Sequence, residues 1–300
     1  NPLFSCLNII KYNFFFIQFI FYIKFISFYR YFILFLLTIT VSGCLSYVSK
    51  INDEMVLVPE GLFIMGFNID NIEEWGDTDE EPVHKIFLKS YYIDRYEVNA
   101  SKFSKFLNLH KNKAPLYFET GSGVTIEKID NLFRPRLGLN NYPANRISWY
   151  GANAYCRSVN KRLPTEAEWE KAARGTGARL FPWGDEFPSN NRATFRRKFN
   201  ILGFKALESV DSMPKGRSPY GAHHMAGNVW EWVNDWYQDS YYEVSPSSNP
   251  KGPESGTSKV LRGGNWYYKA YYMRTTYRFN DKPDVFKNWQ GFRCAQNLGH

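Results

Sequence analysis

Short apolar runs separated by turn residues mark the start of the part of the chain that can fold. Residues 55–59 and 62–66 are two such runs, broken by the Pro-Glu-Gly sequence at 59–61, which predicts a β-hairpin. Residues 84–94 alternate between apolar and polar positions well enough to predict one strand.

Helical spacing follows in three segments, each preceded by a residue that can cap a helix. The predicted N-caps are Asn99, Ser148 and Thr165, and Glu168 completes a capping box with Thr165. The predicted buried positions are Phe103, Phe106 and Leu107 in the first helix, and Trp169, Ala172 and Ala173 in the third. Gly175 is expected to end the third helix.

Helical periodicity disappears after Gly175, where Gly, Pro, Asn and aromatic residues take over. This half should be rich in loops, with short strands and few helices. The pattern predicts one α+β domain over residues 54–298.

The first fifty residues differ from the rest because they contain no Asp or Glu and are dominated by Phe, Ile and Tyr. An apolar run at 31–41, behind a basic residue and before Ser42, Gly43 and Cys44, is typical of a secretory signal. We therefore expect a leader over 1–43, a lipid on Cys44 as in the lipobox of bacterial lipoproteins, and a tether over 44–53. A plain buried anchor helix is the alternative.

The natural start of translation is a separate question, since the chain has no Met before Met55. We hypothesise a non-standard start codon near Ile26 to Arg30, in which case residues 1–25 are not translated.

The net charge of +8 does not point to nucleic acid. Without the four basic residues of the first fifty, 33 basic and 29 acidic residues remain, spread evenly. The aromatic content of 18% fits either a recognition surface or ordinary core packing.

Two cysteines lie inside the predicted domain, Cys156 and Cys294. An even pair in an exported domain favours a disulfide, and a free buried pair is the alternative.

Ten sequence words, in order along the chain, resemble the formylglycine-generating-enzyme (sulfatase-modifying factor) family. They lie at residues 55–66, 81–84, 96–99, 147–149, 154–156, 161–170, 182–184, 225–232, 262–266 and 291–294. The resemblance implies a loop-rich, C-type-lectin-like fold. It also implies that Cys156 pairs with Cys294, because the family pairs a helix cysteine with the cysteine of the closing Gly-Phe-Arg-Cys word.

The oxidases of that family hold copper on two thiolates shortly after the Gly-Gly-x-Trp word, since soft thiolates select monovalent copper. The resemblance places Tyr268 and Met273 at these positions. We therefore expect no copper, no catalytic residue and a protein that is not an enzyme.

The family also binds structural calcium with hard oxygen donors. Asn228 and Glu231 are the matching residues here, so we expect at most one calcium ion and no other cofactor. The alternative is that both residues cap and bond the backbone.

Residues 262–294 further resemble the variable region of proteins diversified by retroelements, including the Treponema variable lipoproteins. In those proteins, replacement of adenines in an Asn codon can convert Asn into some residue types but never into others. The reachable positions are Tyr267, Tyr268, Tyr271, Tyr272, Asp281, Asp284, Phe286 and Asn288. Ligand-contacting positions that would stay fixed are Trp266, Lys269, Met273 and Trp289.

Tyrosine interspersed with Asp and Asn is typical of contact surfaces in antibody-like loops, although any single tyrosine could belong to the core. We favour a monomeric surface lipoprotein of the cell envelope, anchored in the outer membrane, that binds proteins or other cell-surface ligands. The alternatives are a protein-modifying oxidase and an envelope scaffold lipoprotein.

Overall fold

The structure is a computed structural model that describes residues 54–67, 76–198 and 203–298. The predicted leader, the lipidated Cys44 and the tether lie outside these residues. Within the described ranges, no helix combines the length and apolar character needed to cross a membrane. Residues 56–296 form one compact unit.

The described residues form eleven short strands, five α-helices and five short 3-10 helices. The strands are β1 (Met55–Val58), β2 (Gly61–Met65), β3 (His84–Leu88), β4 (Tyr91–Asp94), β5 (Ile126–Ile129), β6 (Leu132–Pro135), β7 (Trp230–Trp236), β8 (Lys259–Arg262), β9 (Arg278–Asp281), β10 (Gln290–Phe292) and β11 (Ala295–Asn297). The helices are α1 (Ala100–Leu109), α2 (Ala114–Tyr117), α3 (Trp149–Ser158), α4 (Glu166–Arg174) and α5 (Tyr241–Val244).

Four small sheets order these strands. The largest has the order β10-β7-β8-β9, with β10 parallel to β7 and the other pairs antiparallel. Strands β1, β4 and β11 form a second sheet, and β2–β3 and β5–β6 form two-stranded sheets. Because β9 and β10 lie at opposite edges of the largest sheet, the loop at 282–289 must cross one end of it.

Two of the strand predictions are wrong. The runs at 55–59 and 62–66 do form strands, but β1 pairs with β4 and β2 pairs with β3, so they are not a hairpin. The predicted single strand at 84–94 is divided into β3 and β4. Turn residues mark where a chain bends but not which distant strand becomes the partner.

The helix predictions are confirmed in the three main helices. The side chains of Asn99, Ser148 and Thr165 each accept a hydrogen bond from a backbone N–H of the first turn. The predicted buried residues of α1 and α4 are all buried. After Gly175, α5 is the only α-helix in the described part of the chain, as the loss of periodicity predicted.

The predicted disulfide is also confirmed, since Cys156 of α3 is bonded to Cys294. The bond closes a separation of 138 residues, which in the chain-entropy model stabilises the fold by about 5 kcal/mol.

Buried ion pairs join α4 to the β8–β9 hairpin. Arg262 at the end of β8 donates to Glu170 at 2.6 Å, and Arg278 at the start of β9 donates to Glu166 at 2.8 Å. All four side chains are almost fully buried. Both ends of the segment between β8 and β9 are therefore fixed to the helix, and that segment carries the candidate site.

Candidate functional site

The segment at 263–277 leaves β8 through two glycines that other residues could not replace without strain. Gly263 and Gly264 have φ of +95° and +74°, a region that L side chains rarely adopt. A Cβ at Gly264 would lie 2.2 Å from the Cε of Met273. Asn265 then accepts hydrogen bonds from the backbone N–H groups of Tyr267 and Tyr268 at 2.8 and 3.0 Å. This turn sets the direction in which the tyrosines project.

Backbone hydrogen bonds dock the segment on the loop at 180–197. The N–H groups of Arg196 and Arg197 donate to the carbonyls of Tyr268 and Trp266 at 3.0 and 2.8 Å. The guanidinium of Arg262 donates to the carbonyls of residues 275–277 at 2.6 to 2.9 Å. The backbone beneath the tyrosines is thus held from two sides.

Arg274 fixes the middle of the segment. Its guanidinium donates to both carboxylate oxygens of Glu80 at 2.6 and 2.7 Å, and both side chains are fully buried. The same guanidinium lies 4.5 Å from the ring centre of Tyr271. Burial raises the pKa of Glu80, while the adjacent Arg274 opposes that shift.

Five tyrosines form a continuous surface, which we call the tyrosine face: Tyr267, Tyr268, Tyr271, Tyr272 and Tyr277. Ring centres are 4.6 Å apart for Tyr268 and Tyr272, 4.9 Å for Tyr272 and Tyr277, and 5.5 Å for Tyr271 and Tyr277. Tyr267 is 48% exposed and the other four are half-buried. Each therefore packs part of its ring and presents the rest to solvent.

The base of the tyrosine face is a buried tryptophan. The ring of Trp230 lies 6.3 Å from Tyr268 and 5.8 Å from Tyr277, and it stacks on Phe279 at 5.1 Å. The indole Nε1 of Trp230 and the amide Nδ2 of Asn265 are buried and have no hydrogen-bond partner among the described residues. Buried donors are normally paired, so leaving these two without an acceptor costs free energy.

Three hydroxyls of the tyrosine face have pKa values above that of an ordinary tyrosine. Burial raises the pKa of Tyr268, Tyr271 and Tyr277, and for Tyr271 a hydrogen bond to Asp77 adds to the increase. These three side chains are thus uncharged at neutral pH and present hydroxyl donors and acceptors beside apolar ring surface.

Sequence reasoning missed Tyr277 and Trp230 as members of this site. Both belong to it because β8–β9 pairing and the parallel pairing of β10 with β7 stack their rings together. A large aromatic residue in the Gly-Asn-Val-Trp word was a signal for Trp230, but its neighbours depended on strand order.

The second group of predicted variable residues lies at the end of β9 and on the loop that crosses the sheet end. Asp284 is exposed, and Asp281, Phe286 and Asn288 are half-buried. Asp281 accepts a hydrogen bond from Gln290 at 3.0 Å, and its charge is close enough to raise the pKa of Tyr268. The loop therefore adjoins the tyrosine face through Asp281.

The predicted fixed residues divide into two kinds. Lys269 is exposed and Trp289 is half-buried, so both can contact a ligand. Trp266 and Met273 are fully buried, which contradicts their assignment as ligand contacts. Trp266 packs against Ala206, Leu207 and neighbouring aromatic rings, and Met273 fills the space above Gly264. They shape the segment from inside.

Asn228 and Glu231 do not fit a calcium site. Both carboxylate oxygens of Glu231 accept from the Arg293 guanidinium at 2.6 Å, and one also accepts from the Trp169 indole at 2.8 Å. The Asn228 amide nitrogen donates to Glu97, and its oxygen accepts from the Glu208 backbone N–H at 3.0 Å. An arginine in the coordination space opposes a divalent cation, and few lone pairs remain for one.

The positions that hold thiolates in the family's oxidases do not fit copper either. No cysteine occurs between Cys156 and Cys294 in the sequence. Tyr268 offers a phenol, and the Met273 thioether is buried. The residues present supply no pair of soft ligands for that metal.

Residues 45–298 match the family model described as "Sulfatase-modifying factor enzyme 1-like domain". The chain is 36% identical over 253 residues to "Serine/threonine-protein kinase pkn1" of Chlamydia pneumoniae, covering 82% of this chain and 38% of that protein. It thus spans about two fifths of the length of that relative.

The expectation that the chain is not an enzyme is contradicted by other relatives. The formylglycine-generating enzyme of Mus musculus is 32% identical over 286 residues, covering 81% of this chain and 74% of the enzyme. That of Streptomyces coelicolor is 32% identical over 281 residues, covering 81% and 88%. Both relatives are enzymes and align with most of the chain, so catalysis is open to this family of sequences.

Solved structures confirm the expected fold class. PvdO from Pseudomonas aeruginosa superposes with a TM-score of 0.65 at 27% identity, covering 81% of this chain and 94% of that one. Treponema denticola variable protein 1 superposes with a TM-score of 0.59 at 22% identity, with the same coverage. The chain has the α+β, C-type-lectin-like fold of these proteins in one domain.

Proposed function

This chain belongs to the sulfatase-modifying factor family, and we propose that its tyrosine face binds proteins or other cell-surface ligands. The observation that carries the proposal is the continuous run of half-exposed tyrosine rings over a rigid, buried base. Aromatic side chains held in place offer a large contact area at a low cost in conformational entropy.

The two unpaired donors beneath the face support the same proposal. The Tyr268 ring centre lies 6.3 Å from that of Trp230, and the Tyr268 backbone N–H donates to Asn265, so both residues that carry these donors neighbour Tyr268. A ligand carbonyl or carboxylate received there would satisfy groups that otherwise remain desolvated without a partner.

Diversification of the face is the second part of the proposal. All eight residues predicted to be variable have solvent-exposed surface, whereas Trp266 and Met273, predicted to be fixed, are buried. This arrangement suits a protein that changes contacts while keeping its backbone. A near-identical template beside the gene, with Asn codons at the eight positions, is the expected finding. A gene neighbourhood without such a template and without a reverse transcriptase would reject the diversification proposal.

We further propose that a lipid on Cys44 holds the domain at the cell envelope, with the face exposed at the surface of the outer membrane. Mass spectrometry of the purified protein should find diacylated Cys44 as the mature N-terminus. Any other N-terminus would end the lipoprotein proposal. Protease shaving of intact cells tests the exposure.

The binding function is tested with the full chain in detergent and a phage library of random peptides. Wild type should enrich a set of sequences, and the double variant Tyr267→Ala/Tyr272→Ala should not. Tyr92→Ala is the matched control, since Tyr92 is another half-buried tyrosine but lies on β4, in a different sheet. Equal enrichment by wild type and the double variant would reject binding through this face.

Protein modification is a second candidate, favoured by the formylglycine-generating enzymes that align with most of the chain. The chain would need groups other than a thiolate pair for such a reaction. Incubation with copper and a sulfatase-type cysteine peptide, followed by mass spectrometry for formylglycine, tests it. Product formation that Tyr268→Phe abolishes would favour this candidate over binding alone.

A further inference from the structure

Resting on the proposed binding function, we propose that the ligand is an acidic polypeptide segment, oriented by a basic end of the tyrosine face. The basic end consists of Arg196, Lys198 and Lys269. All three side chains are exposed. The segment would place its carboxylates against these cations and its aromatic or aliphatic side chains on Tyr267 and Tyr268.

Backbone pairing places these cations beside the tyrosines. The Arg196 N–H donates to the Tyr268 carbonyl at 3.0 Å, and the next N–H, that of Arg197, donates to the Trp266 carbonyl at 2.8 Å. Lys269 directly follows Tyr268, and Lys198 directly follows this paired stretch. The cations thus lie next to Tyr268, whose ring is 5.7 Å from that of the most exposed tyrosine, Tyr267.

The charges of the basic end are not neutralised within the described parts of the chain. Arg197 forms an ion pair with Glu208 at 3.1 Å, but Arg196, Lys198 and Lys269 form no ion pair there. In contrast, the buried arginines 262, 274 and 278 all bind carboxylates. Unpaired cations next to exposed aromatic rings complement a ligand that carries both carboxylates and apolar groups.

The other end of the face is acidic, which gives the ligand a direction. Tyr271 is hydrogen-bonded to Asp77, and the carboxylates of Asp77, Asp79 and Glu80 lie within 4.8 Å of one another. Glu80 is paired with Arg274, and Arg278 lies near Asp79, whereas Asp77 accepts from the neutral Tyr271 hydroxyl and therefore keeps the least compensated charge. A uniformly acidic ligand would be repelled there, and we infer that acidic residues occupy only one end of the bound segment.

The mixed charge also favours a polypeptide over an anionic membrane surface. Asp281, at the end of β9, is half-buried near Tyr268, and Asp284, on the loop that follows, is exposed. A planar anionic bilayer that approached the basic end would meet these carboxylates as well. A peptide can place each charge separately.

Affinity for an acidic peptide should depend on the salt concentration and on the sign of the charge at the basic end. Charge reversal at an exposed position bordering an interface acts mainly on the association rate, and the interaction is screened over about 10 Å at 0.1 M salt. We expect Arg196→Glu and Lys269→Glu each to weaken binding about tenfold at low salt, with a smaller difference at high salt. Lys105→Glu is the control, on the exposed side of α1.

The experiment uses the full chain in detergent, panned against random peptides on phage. The peptides enriched by wild type should carry acidic residues near an aromatic or aliphatic residue, and their synthetic versions are then measured by fluorescence anisotropy. The inference is supported if these peptides bind Arg196→Glu and Lys269→Glu more weakly than wild type and bind Lys105→Glu as tightly as wild type.

Three results would overturn the inference, and they separate it from the proposed function. Enriched peptides without acidic residues, or acidic peptides that bind the reversed variants equally well, would reject the acidic ligand while keeping binding to the tyrosine face. Binding to phosphatidylserine vesicles that Lys269→Glu abolishes would identify a membrane instead. If the wild-type protein enriches no more peptides than the double variant Tyr267→Ala/Tyr272→Ala, the proposed function itself is rejected.

Discussion

The inner and outer sides of the segment at 263–277 contrast in how their charges and polar groups are satisfied. On the inner side, Arg262 and Arg274 make bidentate or multiple hydrogen bonds to carboxylates and carbonyls with no exposure to solvent. On the outer side, Lys269 is exposed without an ion pair in the described residues. The inner side therefore determines one conformation, and the outer side keeps its charge exposed to solvent.

The test of this contrast with the largest expected effect replaces one cation on each side by methionine. Arg274→Met leaves Glu80 buried without its partner, and we expect a loss of about 3–5 kcal/mol in the free energy of unfolding. Lys269→Met should change it by less than about 0.5 kcal/mol. Urea unfolding followed by tryptophan fluorescence measures both. Similar losses for the two variants would contradict the contrast.

A second test compares an inner and an outer side chain of the same segment. Met273→Ala removes a fully buried side chain, so we expect a loss of about 2–4 kcal/mol in unfolding free energy. Tyr267→Ala should lose about 1 kcal/mol or less, because half of this side chain is already in solvent. Thermal denaturation of both variants checks this order of stability. A Tyr267→Ala variant less stable than Met273→Ala would contradict it.

The turn that starts the segment gives a third test. Gly264→Ala places a Cβ against Met273 at a φ of +74°, and we expect a loss of about 2–3 kcal/mol. Gly177→Ala is the control, because a Cβ there has no atom within 4 Å. The double variant Gly264→Ala/Met273→Ala should lose less stability than the sum of the losses of the two single variants. The reason is that Met273→Ala removes one of the groups with which the new Cβ would clash. Strict additivity would show that Met273 does not confine the turn.

The smallest expected effect concerns alkaline pH at the boundary between the two sides. Burial raises the pKa of Tyr277 above its ordinary 10.0. Because the unfolded chain loses this proton first, the stabilisation is complete below about pH 10 and decreases as the pH rises further. Tyr277→Phe should reduce the steepness of that decrease in urea unfolding at several pH values. Equal steepness in both proteins would place Tyr277 in a more solvated position.

Local signals in the sequence predicted local structure well. Asn99, Ser148 and Thr165 cap helices because the capping bond lies within one turn of the residue itself. The sequence at 55–66 also contained its strands and its turn, but the partner strands come from elsewhere in the chain, and the hairpin prediction failed for that reason.

The candidate site was predictable in its residue types and only partly in their placement. The run of tyrosines predicted a shared surface, and all four predicted tyrosines lie on the tyrosine face. Nothing in the local pattern indicated that Trp266 and Met273 face inward, or that Arg262, Arg274 and Arg278 are buried. Charged residues are buried only when partners are present, and the partners Glu80, Glu166 and Glu170 lie far away in sequence.

The parallel pairing of β10 with β7 has a kinetic consequence. Gln290 lies opposite Trp230, sixty positions apart in the sequence, and such long-range pairings form slowly because a large loop must close first. Trp230 reaches its final packing beneath Tyr268 and Tyr277 only when this strand is in place. The tyrosine face would then be completed only after this loop has closed, so changes of its exposed residues should leave the folding steps before that closure undisturbed.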